Sequence, residues 1–105
     1  MILTTCSNTN EAEKLARILL TERLAACVNI FSNVKSLYWW KNEIQEEQEV
    51  FLFIKTAKDL EKKLMDKIKT IHSYDVPAIY AIDSTTEIDD AYLAWINKET
   101  KNSHS

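Results

Sequence analysis

With 105 residues the chain has room for one domain and not for two. Its 13 basic residues are outnumbered by 16 acidic ones, for a net charge of −3, which argues against a nucleic-acid partner, because a polyanion is held by clustered Lys and Arg. Glycine is absent and proline occurs once, so Walker and Rossmann phosphate loops are excluded and turns fall to Asn, Asp, Ser or Pro77.

Met1 to Cys6 is short, apolar and rich in β-branched residues, and reads as a strand. Asn8 is a helix cap, with Glu11 three residues on to close a capping box. Ala12, Leu15, Ala16, Leu19 and Leu20 recur at helical spacing and predict a helix to about Leu24. Cys27 to Tyr38 alternates imperfectly, with Val28, Ile30 and Val34 assigned to one face and Phe31 and Leu37 to the other. Glu43 to Thr56 ends in the run Val50-Phe51-Leu52-Phe53-Ile54, which predicts a strand covered on both faces. Asn42, which tolerates positive φ, turns the chain between them. Thr56 to Asp59 is expected to cap a second helix, marked by Leu60, Leu64, Ile68 and Ile71. Ala78 to Asp83 is a fourth strand, and Ile88, Tyr92, Trp95 and Ile96 mark a last helix, with a polar tail from Asn97 to Ser105 expected to fray.

The order β-α-β-β-α-β plus a final helix predicts a single α+β domain over 1–105. Its expected architecture is a ferredoxin-like sandwich with central first and third strands, both helices on one face and a long hairpin. Both hairpin strands are about twice the usual five or six residues. The hairpin therefore projects, carrying Tyr38, Trp39 and Trp40 at its tip. Three such rings in water, beside an uncovered sheet face, predict association with other copies of the chain.

Two cysteines without a Cys-x-x-Cys pair fit a reducing compartment and no disulfide framework. The start lacks a basic leader, and no apolar run is long enough for a bilayer, so the expected location is the cytoplasm, with no membrane partner. Cys27 and His72 are the pair with soft or borderline metal-ligand character that folding could unite, without the spacing of a zinc motif. Each also has a structural explanation: Cys27 as a small residue at a strand start, His72 as a cation at a helix C-terminus. Cys6 reads as the structural end of a strand. In Glu46-Glu47-Gln48-Glu49, period two places Glu47 and Glu49 on one face. Their carboxylates serve either to solvate the strand or to bind a hard cation or Lys55. Tyr74, Tyr92 and Trp95 fit a core or an interface, and Tyr74, in a loop beside Pro77, is the one best placed to line a cleft. No nucleophile, base and orienter fall at a catalytic spacing, so the residues point away from an enzyme.

Four segments, Glu22-Arg23-Leu24-Ala25-Ala26-Cys27-Val28-Asn29, Tyr38-Trp39-Trp40-Lys41-Asn42-Glu43-Ile44, Ile54-Lys55-Thr56 and His72-Ser73-Tyr74-Asp75-Val76-Pro77-Ala78-Ile79, together resemble the CutA divalent-cation-tolerance family; Tyr92-Leu93-Ala94-Trp95 also fits. The resemblance implies a homotrimer with interlocking hairpins and a role in tolerance of copper and other divalent cations. It also implies a likeness to trimeric nitrogen-regulatory proteins that bind small ligands between subunits. On that footing Cys27 and His72 are candidate ligands for Cu(II) or a similar ion; Glu49, from the carboxylate run, is a third candidate. Lys55, Tyr74 and Trp95 are candidates for a cleft, and Tyr38, Trp39 and Trp40 for the oligomer contact. Two positions depart from the family pattern: Ser73 replaces a proline after the histidine, and Asn42 replaces a glycine in the hairpin turn.

Overall fold

The computed structural model of the chain describes residues 1–72, 78–82 and 89–100. The elements run β1 (Ile2–Cys6), α1 (Thr9–Thr21), β2 (Cys27–Trp40), β3 (Glu43–Lys55), α2 (Glu61–Ile71), β4 (Ile79–Ala81) and α3 (Asp90–Glu99). The sheet order is β2-β3-β1-β4 with every pairing antiparallel. This is the ferredoxin-like plan, with the first and third strands central.

Period two sorts the side chains of the central strands. Ile2, Leu52 and Ile54 point to the helices and are fully buried against Leu15 and Leu19 of α1 and Leu64 and Ile68 of α2. Each such side chain contributes roughly 1.5–3 kcal/mol of burial free energy. The other face carries Leu3, Phe51 and Phe53, with Phe31 at 5.0 Å from Phe53 between ring centroids. Phe31 and Tyr80 on that face remain exposed. The run Val50 to Ile54 is thus covered on one face only in the single chain, where the sequence predicts cover on both.

The hairpin strands span 14 and 13 residues and stretch the molecule to 48 × 27 × 21 Å. The register slips between Phe31↔Phe51 and Val34↔Glu49, so Ser32 and Asn33 together oppose Val50. Asn33 takes φ 61° there, the left-handed backbone of a bulge usually built on glycine. The extra residue reverses the alternation beyond it. Val34 therefore shares the open face with Phe31, and Leu37 the helix-side face with Val28 and Ile30, which corrects the uninterrupted assignment. At the tip Lys41 (φ 50°) and Asn42 (φ 64°) both adopt positive φ between Trp40 and Glu43, a two-residue type I′ turn. Asn42 was expected to turn; Lys41 shares the load.

Asn8 caps α1 as predicted, accepting the backbone N–H of Glu11 at 2.8 Å. The helix stops at Thr21, three residues before the expected end. Arg23 (φ 60°) turns left-handed, its N–H bonds the Leu20 carbonyl, and the Leu24 N–H bonds the Leu19 carbonyl. That is a Schellman ending with arginine at the position glycine favours. Thr56 does not cap the second helix: its hydroxyl is buried and donates to the Leu24 carbonyl at 2.6 Å, and a single 3₁₀ turn at Lys58–Leu60 leads into α2. The polar stretch from Asn97 starts inside α3 and is not frayed up to residue 100. Thr100 is fully buried and its hydroxyl donates to the Ile96 carbonyl at 2.8 Å, while Arg23 pairs with Glu99 at 3.4 Å.

Candidate metal centre

The topology brings three chain positions to one end of the sandwich. β1 finishes at Cys6, the first turn of α1 begins just beyond it, and α2 runs antiparallel to β3 and so ends beside them. One donor atom each from Cys6, Glu11 and His72 lies within 4.8 Å of the other two. Cys6 is fully buried on the helix side of β1. Glu11 sits in the first turn of α1, its carboxylate accepting from Ser7 at 3.5 Å. His72 is the residue after α2, its backbone N–H still bonded to the Ile68 carbonyl.

Two details suit these groups to ligation. His72 Nε2 lies 2.5 Å from the Thr5 carbonyl oxygen. That oxygen can only accept, so the neutral ring carries its proton on Nε2 and its lone pair on Nδ1, the arrangement in which backbone carbonyls orient metal-binding histidines. Burial, and then the Glu11 carboxylate beside it, push the Cys6 thiol from 9.0 up to about 12. Such a thiol is inert as a nucleophile. A divalent cation between thiol and carboxylate reverses the balance by favouring the thiolate.

Donors around a tetrahedral ion stand about 3.5 Å apart, so the set is within side-chain adjustment of coordination. A sulfur, an imidazole nitrogen and a carboxylate oxygen fit a borderline first-row ion such as Zn²⁺ or Cu²⁺ and not Mg²⁺ or Ca²⁺, which take oxygen. The three would leave at least one coordination position open. They line a cleft of about 490 Å³ together with Lys14, Leu15, Ile18 and Ile71.

Of the metal ligands expected from the sequence, His72 alone is in this cluster. Cys27 pairs with Lys55 across β2 and β3, on the open face and so on the opposite side of the sheet from Cys6. Glu49 is six residues from Lys55 along β3, roughly 20 Å at strand rise. Cys27, Glu49 and His72 are therefore not brought together within one chain. Of the expected cleft residues, Lys55 holds its ammonium 5.6 Å from the centroid of Tyr92, which stacks on Trp95 at 5.5 Å. Trp95 is exposed and lines a groove of about 380 Å³ with Leu20 and Arg23. Tyr74 lies outside the described residues. At the hairpin tip Tyr38 donates to Glu47 at 2.9 Å, and that bond raises its phenol above the ordinary range; Trp39 and Trp40 are 71% and 60% exposed.

Cys6 and Glu11 read from the sequence as structural because each has a sufficient local explanation, as a strand end and as half of a capping box. The signal that could have found them is topological: in a β-α-β-β-α-β chain the end of the first strand, the start of the first helix and the end of the second helix converge.

A family model described as "CutA1 divalent ion tolerance protein" matches residues 1–99. The chain belongs to the CutA1 divalent ion tolerance family. It is 42% identical over 101 residues to the divalent-cation tolerance protein CutA of Pyrococcus horikoshii, covering 96% of this chain and 97% of that one. The crystal structure of the divalent ion tolerance protein CutA1 from Ehrlichia chaffeensis superposes with a TM-score of 0.90 at 40% identity, covering 95% of this chain and 92% of that chain. The CutA of Archaeoglobus fulgidus, named as a periplasmic protein, superposes with a TM-score of 0.89 at 36% identity, covering 95% and 96%. Among the described residues no helix is long and apolar enough to cross a membrane.

Proposed function

We propose that this CutA1 family member binds a divalent first-row cation, copper or a similar ion, at Cys6, Glu11 and His72, and serves metal tolerance as a cytoplasmic homotrimer without catalytic activity. The observation that carries the reading is the convergence of thiol, carboxylate and oriented imidazole within 4.8 Å. Affinity of such donors rises along the first-row series to Cu²⁺, which favours copper where it is available. Binding must displace the thiol proton, so the ion is held more weakly than by a preformed thiolate site. The trimer is supported by the family resemblance, by the exposed Phe31 and Tyr80 on the open face and by Trp39 and Trp40 at the hairpin tip.

Zn²⁺ titration calorimetry of the full chain tests the site. Cys6→Ser and His72→Ala are each expected to weaken binding by about tenfold or more, while Cys27→Ser leaves it unchanged. Equal effects of Cys6→Ser and Cys27→Ser would remove the assignment.

A second reading, a signalling module that binds a small ligand between subunits, is favoured by the array of half-buried Lys55 with exposed Tyr92 and Trp95. A cation stacked on aromatic rings suits a planar anion. Quenching of Trp95 fluorescence by such an anion, lost in Lys55→Met, would support it.

A further inference from the structure

Given the metal-binding reading, we propose that the centre takes its cation together with a small organic carboxylate. The anionic end of that molecule fills the open coordination position and pairs with Lys14, and its apolar body lies against Ile18 and Ile71.

The charge balance leads there first. Thiolate and carboxylate from Cys6 and Glu11 already neutralise a divalent ion. Lys14 lines the same cleft and forms no ion pair among the described residues. An ammonium beside a bound cation is repulsive. An anion that bridges the two turns that repulsion into two attractions. Among the described residues the centre offers three protein donors, and three leave a position that such an anion can take.

Size and lining narrow its chemistry. The cleft of about 490 Å³ far exceeds the roughly 30 Å³ that one water occupies in the liquid, and lies in the range of small-molecule pockets. Leu15, Ile18 and Ile71 make much of its wall. Ile18 and Lys14 are one turn apart on α1, so a charged and an apolar contact lie side by side. A phosphate or sulfate would satisfy Lys14 but leave the isoleucines wet. A carboxylate on a hydrocarbon or aromatic body satisfies both.

The test uses the full chain with Co²⁺, whose thiolate charge-transfer band reports coordination by Cys6. With benzoate as the probe, the apparent Co²⁺ affinity is expected to tighten about tenfold, a usual size for coupled ligands, and with acetate distinctly less. Lys14→Met should lose the benzoate gain while binding Co²⁺ alone at least as tightly, since a like charge has gone. A thiolate band whose titration is unmoved or weakened by benzoate overturns the carboxylate and leaves the metal centre standing. So does a gain that survives Lys14→Met, or one that acetate matches. No thiolate band at all sinks both the centre and this extension of it.

Discussion

On the helix side of the sheet, Leu52 and Ile54 are sealed under α1 and α2 with no exposed surface, and Cys6 ends the same row. On the other side Leu3, Phe51 and Phe53 sit among exposed Phe31 and Tyr80, and Cys27 ends that row beside Lys55. The residues alternate along the same strands, yet one face is finished within the chain and the other is not. The helix side has its packing partners and its donor cluster supplied by sequence-distant parts of one chain. The open side has apolar surface that one chain does not cover.

Neighbouring substitutions on β3 separate the two faces. Leu52→Ala should cost about 2–5 kcal/mol, as core truncations do, by the same amount at any protein concentration in denaturant unfolding. Phe53→Ala should instead shift the midpoint more in dilute than in concentrated protein and lower the sedimenting mass, because the open face is proposed to pack on other copies. A concentration-independent loss for Phe53→Ala would make that face a monomer's surface. The cysteines extend the contrast: metal affinity should fall about tenfold or more in Cys6→Ser and hold in Cys27→Ser, measured by competition with a chromogenic chelator.

The ferredoxin-like plan was legible because its elements announce themselves by period: two in the strands, 3.6 in α1 and α2. Long strands and a glycine-free turn were legible too. The bulge at Asn33 was not, since nothing in Phe31-Ser32-Asn33-Val34 distinguishes an inserted residue from a polar strand position until the partner strand fixes the register. That one residue moved Val34 and Leu37 to the opposite faces from those assigned. Two of the three members of the donor cluster were hidden for another reason. His72 stood out through its metal-ligand character, but Cys6 and Glu11 become candidate ligands only when the chain is closed in three dimensions. Cys27 stood out through its ligand character, and then through its family segment, and lies on the other side of the sheet.

The buried thiol supplies a smaller test of the helix side. The Cys6 thiol titrates near 9.0 when unfolded and near 12 when folded. A raised value means that folding favours the protonated form, so its stabilising effect is complete below pH 9.0 and is lost as pH climbs from there toward 12. Wild type should therefore lose stability across that window more steeply than Cys6→Ser, whose hydroxyl does not titrate, in urea midpoints taken at successive pH values. Metal binding runs the other way: it releases the thiol proton, so affinity should rise with pH below 9.0. Parallel stability curves for wild type and Cys6→Ser would mean that the thiol is not held in its protonated form by the fold.

The smallest expected effect concerns the hinge between the two faces. Arg23 links α1 to the start of β2 and holds φ 60°, where a β-carbon crowds the following carbonyl at a cost of about 1–2 kcal/mol. Glycine would remove that crowding, but it would also free the unfolded chain and delete the 3.4 Å pair with Glu99. The pair is half exposed and its loss costs little, so the crowding dominates and Arg23→Gly should stabilise the chain by up to about 1 kcal/mol, the crowding relieved less the backbone freedom that glycine adds to the unfolded chain. Arg23→Ala removes the same ion pair while keeping the β-carbon and should not stabilise. A midpoint that falls equally in both variants would show that Arg23 acts through Glu99 and α3, and that the strained turn is maintained by that contact instead of merely tolerated.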